Sequence, residues 1–254
     1  MCLATRCLSP ARAGTRRTGK GEAMPPEPPV RDLPEARAPG ARALRPEEVP
    51  VLAETLAAAF RDNPLNRAVI RGGPRRRLRS NRHGMRATLA AAGRCCSIRV
   101  PDAGELALPG ALDGPALGGL IAVPPGTWPL PPPPLLAQLG IWLGQGVGPL
   151  RRWGRVYRLL AEYHPATPHW YLQLLGVGVA GRRRGIGSAL LESWLREVDA
   201  DALPAYLETD RLENLSFYRR FGFDVVGTHE IWATPIWRME RPGLSARSQQ
   251  AALS

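Results

Sequence analysis

The chain has 254 residues, a length that suits one domain of ordinary size with terminal tails. Hydrophobic residues make up 44% and charged residues 22% of it, which is typical of a globular protein and excludes a fibrous or wholly disordered chain. The net charge of +12 would suggest a nucleic acid as partner, but most of it lies in residues 61–100, with eleven arginines against the single acid Asp62. No aromatic residues are interleaved with the arginine run at 75–82, so we expect a solvated basic face and no nucleic-acid binding.

Apolar runs and cysteines exclude two further classes of protein. No apolar run is long enough to span a membrane, so no membrane-spanning segment is expected. The four cysteines lack the spacing of a zinc site, and the adjacent pair Cys95 and Cys96 has poor geometry for a mutual disulfide bond. These features predict a reduced, cytoplasmic protein without a metal ion.

The first half of the chain predicts a tail followed by helices and two strands. Residues 1–43 are rich in Pro, Arg, Ala and Gly without a sustained period, which is typical of a disordered tail. A helix is expected from about Arg45 to the Asn63-Pro64 stop, and an Arg-rich helix over residues 71–93. Short strands are expected at Cys96–Val100 and Leu117–Val123.

The middle of the chain predicts an extended segment and two helices. Five of the six residues at 129–134 are prolines, so this segment must be extended. Amphipathic helices are expected at Leu135–Trp142 and Leu150–Tyr163, with a glycine-rich break at Gly144–Gly148.

From His169 onward, strands alternate with helices. The predicted elements are strands at Trp170–Val179, Ala205–Glu208, Phe223–Thr228 and Ile236–Met239, and helices at Gly185–Val198 and Leu212–Phe221. This alternation with a short parallel pair predicts an α/β sandwich with helices on both faces of the sheet. A single domain is expected over residues 44–242, with a second disordered tail at 243–254.

A glycine-containing loop at 182–188 has the character of a phosphate site. Arg182-Arg183-Arg184-Gly185-Ile186-Gly187 lies between a predicted strand and a predicted helix, whose first turn includes Ser188. The amino terminus of a helix presents unpaired N–H groups and a partial positive charge, and glycine lets the backbone approach a pyrophosphate closely. The arginines add charge suited to phosphate groups.

A rival motif overlaps the preceding strand. Gly176-x-Gly178-x-x-Gly181 matches the dinucleotide-binding fingerprint G-x-G-x-x-G. That motif expects a helix directly after its glycines, whereas the helical pattern here begins after the three arginines. The residues downstream are also too few for the βα units of a dinucleotide domain.

The second motif is Asn214-Leu-Ser-Phe-Tyr218-Arg-Arg-Phe-Gly222-Phe223, on a short helix that leads into a strand. Together with Arg182, Gly185 and Gly187, it makes the chain resemble the GNAT superfamily of N-acetyltransferases. The phrases HWYLQLLGV, AYLETD and PIWRM look like the puromycin N-acetyltransferase type within that superfamily.

The resemblance implies a fold and a co-substrate. The fold would be a mixed, mostly antiparallel twisted sheet with a splayed parallel strand pair and helices on both faces. The co-substrate would be acetyl-CoA, bound without a metal ion. The residues implied to contact it are Leu175, Gly176, Val177, Arg182, Arg183, Arg184, Gly185, Ile186, Gly187, Ser188 and Asn214.

Two residues are the main catalytic candidates. The resemblance makes Tyr218 the general acid for the coenzyme A thiolate; the alternative is a residue packed on the apolar stripe of its helix. Glu208, at a strand end, is the candidate general base, and the alternative is a solvated or ion-paired carboxylate. Glu162, His164 and His169 are weaker candidates for the base, and water could take the proton instead.

The acceptor is less determined by these patterns. The Asp62-Asn63-Pro64 turn is placed where this superfamily often shapes the acceptor pocket, the alternative being an ordinary helix stop. We expect acetyl transfer to a primary amine of a small molecule by direct attack in a ternary complex. A protein or peptide acetyltransferase and a non-catalytic acyl-CoA-binding module remain as alternatives, and the oligomeric state stays open.

Overall fold

The computed structural model describes residues 40–102 and 114–244. Residues 1–39 of the predicted amino-terminal tail and 245–254 of the predicted carboxyl-terminal tail lie outside the described residues. Residues 41–43, also predicted as tail, form a strand, because they pair with a strand whose partner residues lie near position 100. Within the described part, no helix is long and apolar enough to cross a membrane.

Seven strands form one sheet in the order β1-β2-β3-β4-β5-β7-β6. Every neighbouring pair is antiparallel except β4 and β5, which are parallel. The predicted mixed, mostly antiparallel sheet with one parallel pair is therefore confirmed. The strands are β1 (Ala41–Ala43), β2 (Ser97–Pro101), β3 (Gly118–Val123), β4 (Trp170–Val177), β5 (Ala205–Thr209), β6 (Asp224–Ile231) and β7 (Thr234–Arg241).

Helices cover both faces of the sheet, as predicted. They are α1 (Val49–Ala59), α2 (Pro64–Val69), α3 (Pro74–Ala92), α4 (Leu135–Gln145), α5 (Val147–Tyr163), α6 (Ile186–Ala200) and α7 (Glu213–Arg219). Apolar side chains of α1, α2, α3 and α5 form the core on one face, and those of α6 and α7 form the core on the other. Strands β3 and β4 contribute alternate side chains to both cores, so they are the buried centre of the sheet.

The Asn63-Pro64 stop has a second role that its sequence pattern did not predict. Helix α1 ends at Ala59, and Asn63 then serves as the N-cap of α2, with Pro64 in the first helical position. Proline suits that position because its missing N–H would have no partner there. A carboxylate oxygen of the buried Asp210, which follows β5, accepts a hydrogen bond from the Leu65 N–H at 2.8 Å. The turn therefore ties α2 to the central strands.

Helix α6 is fixed against the sheet at its carboxyl-terminal end. Asp199 accepts hydrogen bonds from two Arg241 nitrogens at 2.6 and 3.0 Å, and Asp201 accepts one from the Trp170 indole at 2.8 Å. A bidentate arginine–carboxylate pair holds its geometry well. Because the far end is anchored to β7 and β4, the amino terminus of α6 is held near the opposite end of β4.

Candidate active site

The parallel strands β4 and β5 separate from each other partway along their length. Their register runs from Trp170 opposite Ala205 to Leu172 opposite Leu207 and then ends. Beyond that point β4 stays paired with β3 as far as Val177, and β5 stays paired with β7 as far as Thr209. We call this opening the fork. The facing edges of the two strands there present backbone polar groups that can bind a ligand.

The amino terminus of α6 has the backbone that an anion site requires. Gly185 is its N-cap, in the left-handed conformation with φ of 74°, and a Cβ there would meet nothing within 4 Å. Only glycine adopts this conformation without strain, and the open space leaves the first N–H groups of the helix accessible. Arg183 and Arg184 are exposed beside it and Arg182 is half-buried. These residues fit the phosphate groups of acetyl-CoA.

The fork and the α6 terminus adjoin each other. A Cβ at Gly187 would lie 3.6 Å from the Val177 side chain, so the first turn of α6 packs against the end of β4. Leu175 and Ile186 are buried in the core on the α6 face, and Ser188 is half-buried. Gly176 faces α1, where a Cβ would come within 2.7 Å of Leu56. The two groups of candidate co-substrate residues, Leu175–Val177 and Arg182–Ser188, therefore meet where Gly187 packs against Val177.

The glycines of the rival dinucleotide motif have a packing role. A Cβ at Gly181 would lie 2.6 Å from the Leu117 carbonyl oxygen, and one at Gly178 would lie 3.1 Å from that of Ala116. These glycines let the turn after β4 approach the backbone before β3. Helix α6 begins at Ile186, not directly after Gly181. This arrangement excludes the interpretation of these glycines as a dinucleotide-binding motif.

Asn214 and Tyr218 are both buried on α7. The Asn214 side-chain nitrogen donates a hydrogen bond to the Thr209 hydroxyl at 3.0 Å, and Leu212 is the N-cap of the helix. Asn214 therefore holds α7 to the end of β5 and is not the cap of the helix. Tyr218 is fully buried in the core on the α6 face, with its ring against Phe217 and Phe223.

Glu208 lies on the opposite face of β5, inside a cluster of aromatic residues. Its carboxylate is fully buried and accepts hydrogen bonds from the hydroxyls of Tyr171 at 2.8 Å and Tyr206 at 3.0 Å. Burial, reinforced by the adjacent Glu208, raises the pKa of both phenols above its ordinary value. Glu208 is therefore buried and not solvated, and the two phenols stay protonated as donors to its carboxylate.

The weaker base candidates are distributed unequally around this cluster. His164 and His169 contact each other through their Nε2 atoms at 3.1 Å, and Trp128 stacks on the His164 ring. Burial, followed by the effect of His169, lowers the pKa of His164 to about 3, so this ring is neutral at pH 7. Glu162 is exposed on α5 and lies outside the cluster.

A β-bulge occurs at the fork, and the sequence patterns did not predict it. Ile121 of β3 faces Leu174 and Ala122 faces Leu172, so Gln173 is the extra residue in β4. The bulge places Gln173 and Leu174 in succession on the wall of one cavity. A glutamine inside the otherwise apolar strand Trp170–Val177 was the available signal for a functional residue here.

This cavity has a volume of about 440 Å³ and lies between β4 and the helices α3, α4 and α5. The proline-rich segment 129–133 and Trp128 form another wall. Asn66, just after the Asp62-Asn63-Pro64 turn, also lines the cavity, so the structure brings that turn close to it. Among residues 40–102 and 114–244, no group of three or more His, Cys, Asp or Glu side chains is placed to hold a metal ion.

Comparison with known proteins connects this geometry to a family. Residues 151–223 match the model of the acetyltransferase (GNAT) family. A Corynebacterium glutamicum structure, described as histone acetyltransferase HPA2 and related acetyltransferase, has a TM-score of 0.61 at 20% identity, over 81% of this chain and 97% of its own. Arylalkylamine N-acetyltransferase 2 from Aedes aegypti has a TM-score of 0.50 at 10% identity, over 80% and 97%.

At these identities the structural likeness establishes the fold, and the matched segment carries the site. Residues 151–223 include the fork, the α6 terminus, Glu208 and Tyr218. The family match within this segment and the fold together support a GNAT superfamily acetyltransferase and indicate an enzyme that uses acetyl-CoA.

Proposed function

We propose that the protein transfers the acetyl group of acetyl-CoA to a primary amine of a small molecule, by direct attack of the amine in a ternary complex. One observation carries the proposal: the fork between β4 and β5 has the open α6 terminus on one side and the uncharged cavity on the other. Two ligands could therefore approach the same point from opposite sides. A ternary complex requires this arrangement.

The residues around the fork suit the two ends of the co-substrate. When bound, acetyl-CoA supplies the acetyl group as a thioester. The first N–H groups of α6, at Ile186, Gly187 and Ser188, are suited to its diphosphate, and Arg182, Arg183 and Arg184 to its remaining phosphate charge. The free edge of β4 at Leu175–Val177 can hydrogen-bond an extended amide-containing arm and polarise a carbonyl group. Asn214 would act here by holding α7 beside that edge.

The proposed chemistry needs one proton donor and one proton acceptor. The amine nitrogen forms a bond to the thioester carbon while the carbon–sulfur bond breaks; the nitrogen loses one proton and the sulfur gains one. We propose Tyr218 as the donor to sulfur. Glu208 is proposed as the acceptor, reached through the hydroxyl of Tyr171 or Tyr206, because each phenol already donates to its carboxylate.

A small-molecule acceptor is favoured over a peptide by the shape of the cavity. The relatives do not decide this point, since one is named for histones and another for arylalkylamines. The cavity, bounded by three helices and a proline-rich segment, has the volume of a drug-sized ligand. The puromycin type remains our proposal from the sequence phrases, and the cytoplasmic location from free Cys95 and Cys96.

The direct test combines binding with turnover. Acetyl-CoA is titrated into the protein by calorimetry, and thiol release is then followed with small amines and with short peptides. We expect micromolar or tighter binding and thiol release that depends on a small amine. Faster release with peptides would support the protein acetyltransferase, and binding without release would support the non-catalytic module. Failure to bind acetyl-CoA would overturn the proposal.

A further inference from the structure

We infer that the cavity beside β4 binds the acceptor, and that it selects a primary amine carrying a bulky, uncharged, apolar group. Gln173 is inferred to be the positioning residue that accepts a hydrogen bond from the amine. This inference rests on the proposed function, because it assigns the acceptor class of the same reaction. Its grounds are the charge of the cavity wall, the direction of the basic face of α3, and two buried oxygen atoms.

The described wall of the cavity contains no charged side chain. Its apolar part includes the rings of Phe60, Trp128 and Trp153 and the side chains of Leu130 and Leu150. Its polar part consists mainly of carboxamides and lacks Asp, Glu, Lys, Arg and His among the described residues. Moving a charged group from water into such a space is costly unless a partner charge is present. An acceptor that fills this cavity must therefore be apolar over most of its surface.

The arginines of α3 do not change this conclusion, although α3 forms one wall. Met85, Ala87 and Ala91 of this helix face the cavity, whereas Arg79, Arg82 and Arg86 are exposed on its outer side. The basic face is directed towards solvent, where water and salt screen it. The strong local charge of residues 61–100 therefore does not select an acidic acceptor in the cavity.

Two carboxamide oxygens in the wall are buried without a hydrogen-bond partner among the described residues. They are Oε1 of Gln173 and Oδ1 of Asn66, whose side chains are 7% and 2% exposed. The Asn66 nitrogen donates to Asn81 at 2.9 Å, and the Asn81 nitrogen donates to the Ala57 carbonyl at 3.1 Å. These two hydrogen bonds fix the orientation of the Asn66 carboxamide, so its oxygen is the atom that still lacks a donor. Buried unsatisfied acceptors are uncommon and indicate a missing donor.

An amine supplies the donor that these oxygens lack, and Gln173 is the residue placed at the fork. It follows Leu172, the last residue of β4 paired with β5, and the bulge directs it to the cavity. Its neutral oxygen can accept an N–H from a neutral amine and orient the nitrogen. An uncharged wall also disfavours the ammonium form, which lowers the pKa of a bound amine and increases the fraction able to attack.

Matched amines separate the acceptor class from the reaction itself. The measurement is kcat/KM for thiol release from acetyl-CoA with four amines: 2-phenylethylamine, ethylamine, L-phenylalanine and spermidine. We expect kcat/KM for 2-phenylethylamine to exceed that for ethylamine by at least about 30-fold, because burial of the phenyl group is favourable by a corresponding free energy. It should exceed L-phenylalanine, which adds only a carboxylate, by at least about 100-fold. A preference for ethylamine, L-phenylalanine or spermidine would overturn the inference and leave the proposed function standing.

A second measurement does not depend on turnover. Because Trp128 and Trp153 line the cavity, binding of 2-phenylethylamine should change the tryptophan fluorescence saturably. Ala87→Leu fills part of the cavity and should weaken this binding at least about tenfold. Ala90→Leu makes the same change on α3 away from the cavity wall and should have no effect. Absence of saturable binding would refute the inference, whereas binding without turnover on any amine would refute the proposed function alone.

Variants of Gln173 test its positioning role. Gln173→Leu removes the oxygen and should raise the KM for 2-phenylethylamine about tenfold, with the Kd of acetyl-CoA unchanged. Gln173→Glu keeps an oxygen acceptor and adds a negative charge, so relative activity should shift at least about tenfold towards spermidine. A merely structural glutamine would not change the order of substrates. Wild-type KM in Gln173→Leu together with wild-type substrate order in Gln173→Glu would remove Gln173 from the inference.

Discussion

Substitutions at Gly187 distinguish the effect of this residue on the stability of α6 from its proposed role in phosphate binding. A Cβ at this position would lie 3.6 Å from Val177 and 3.7 Å from Phe217, which is ordinary van der Waals contact. Alanine therefore fits, and the replacement of a helical glycine by alanine stabilises by up to about 1 kcal/mol. For a domain of this size the expected rise in Tm is about 1–4 °C. Gly187→Ala should nevertheless bind acetyl-CoA more weakly, because in the proposed phosphate site the added Cβ would lie beside the backbone that the phosphates approach.

Gly187→Glu adds a charge to the same position. Two unit charges about 5 Å apart repel by about 3 kcal/mol at an effective dielectric constant of about 20. This energy corresponds to a loss of more than about 100-fold in the affinity for acetyl-CoA. A carboxylate in the first turn of a helix is itself mildly stabilising, so the variant should remain folded.

The assay is calorimetric titration with acetyl-CoA, combined with thermal unfolding of the ligand-free protein. Gly154 provides the matched control, because it is an exposed glycine inside α5 whose Cβ would meet nothing within 4 Å. Gly154→Ala and Gly154→Glu should leave the Kd unchanged. If Gly187→Glu bound acetyl-CoA as tightly as the wild type, the amino terminus of α6 would not be the phosphate site.

Three further predictions concern buried side chains of β5, of α7 and of the residue that follows β5. Burial raises the pKa of the Asp210 carboxyl from 3.8 to about 6, so the folded protein binds a proton that the unfolded chain has released between about pH 4 and pH 6. The stability that this group contributes is therefore present below pH 4 and is lost as the pH rises through 6. Asp210→Asn should have a free energy of unfolding about 3 kcal/mol higher than that of the wild type at pH 7, but not at pH 3.5, as measured by urea unfolding. Tyr218→Phe should lower kcat at least about 100-fold with little change in the Kd of acetyl-CoA. Glu208→Gln, which keeps an oxygen for one phenol, should also lower kcat at least about 100-fold.

Each of these has a clear opposite outcome. If the free energies of unfolding of Asp210→Asn and the wild type differed by the same amount at both pH values, the effect of burial on the pKa of Asp210 would be contradicted. An unchanged kcat in Tyr218→Phe would leave Tyr218 a packing residue of α7. If Glu208→Gln lost stability but kept its kcat, the two phenol hydrogen bonds would be structural, and water would be the proton acceptor.

The part of the fold that follows β3 was largely predictable because its signals are local. The helix after Gly185 and the order of the later elements follow from apolar periodicity and glycine positions within short windows. The strand that begins at Trp170 was also predicted, although it ends at Val177 and not at Val179. The phosphate loop is also local, since a left-handed glycine and a helix start are adjacent in the chain. Residues for the co-substrate half of the site could therefore be proposed from sequence, and the structure places two of them, Val177 and Gly187, against each other.

The first half was less predictable because its elements depend on partners far away in the chain. Strand β1 has three residues and exists through pairing with β2, whose partner residues lie 56 to 60 positions later, so no local period indicates it. Helix α2 was missed because Asn63-Pro64 ends one helix and starts another, and both events use the same residue types. The Leu65 N–H in the first turn of α2 donates a hydrogen bond to Asp210, which lies 145 residues downstream.

The proposed acceptor half of the site could not be predicted from sequence for a related reason. Its wall is assembled from separate helices, a proline-rich segment and one strand, and each contributes apolar residues that also suit an ordinary core. Gln173 differs from that pattern, but its direction depends on a bulge defined by the pairing of β4 with β3. A shift of one residue in that pairing would turn the side chain to the α6 face, into the opposite core. The proposed acceptor specificity therefore depends on strand register, which is a property of the folded sheet and not of the residues of β4 alone.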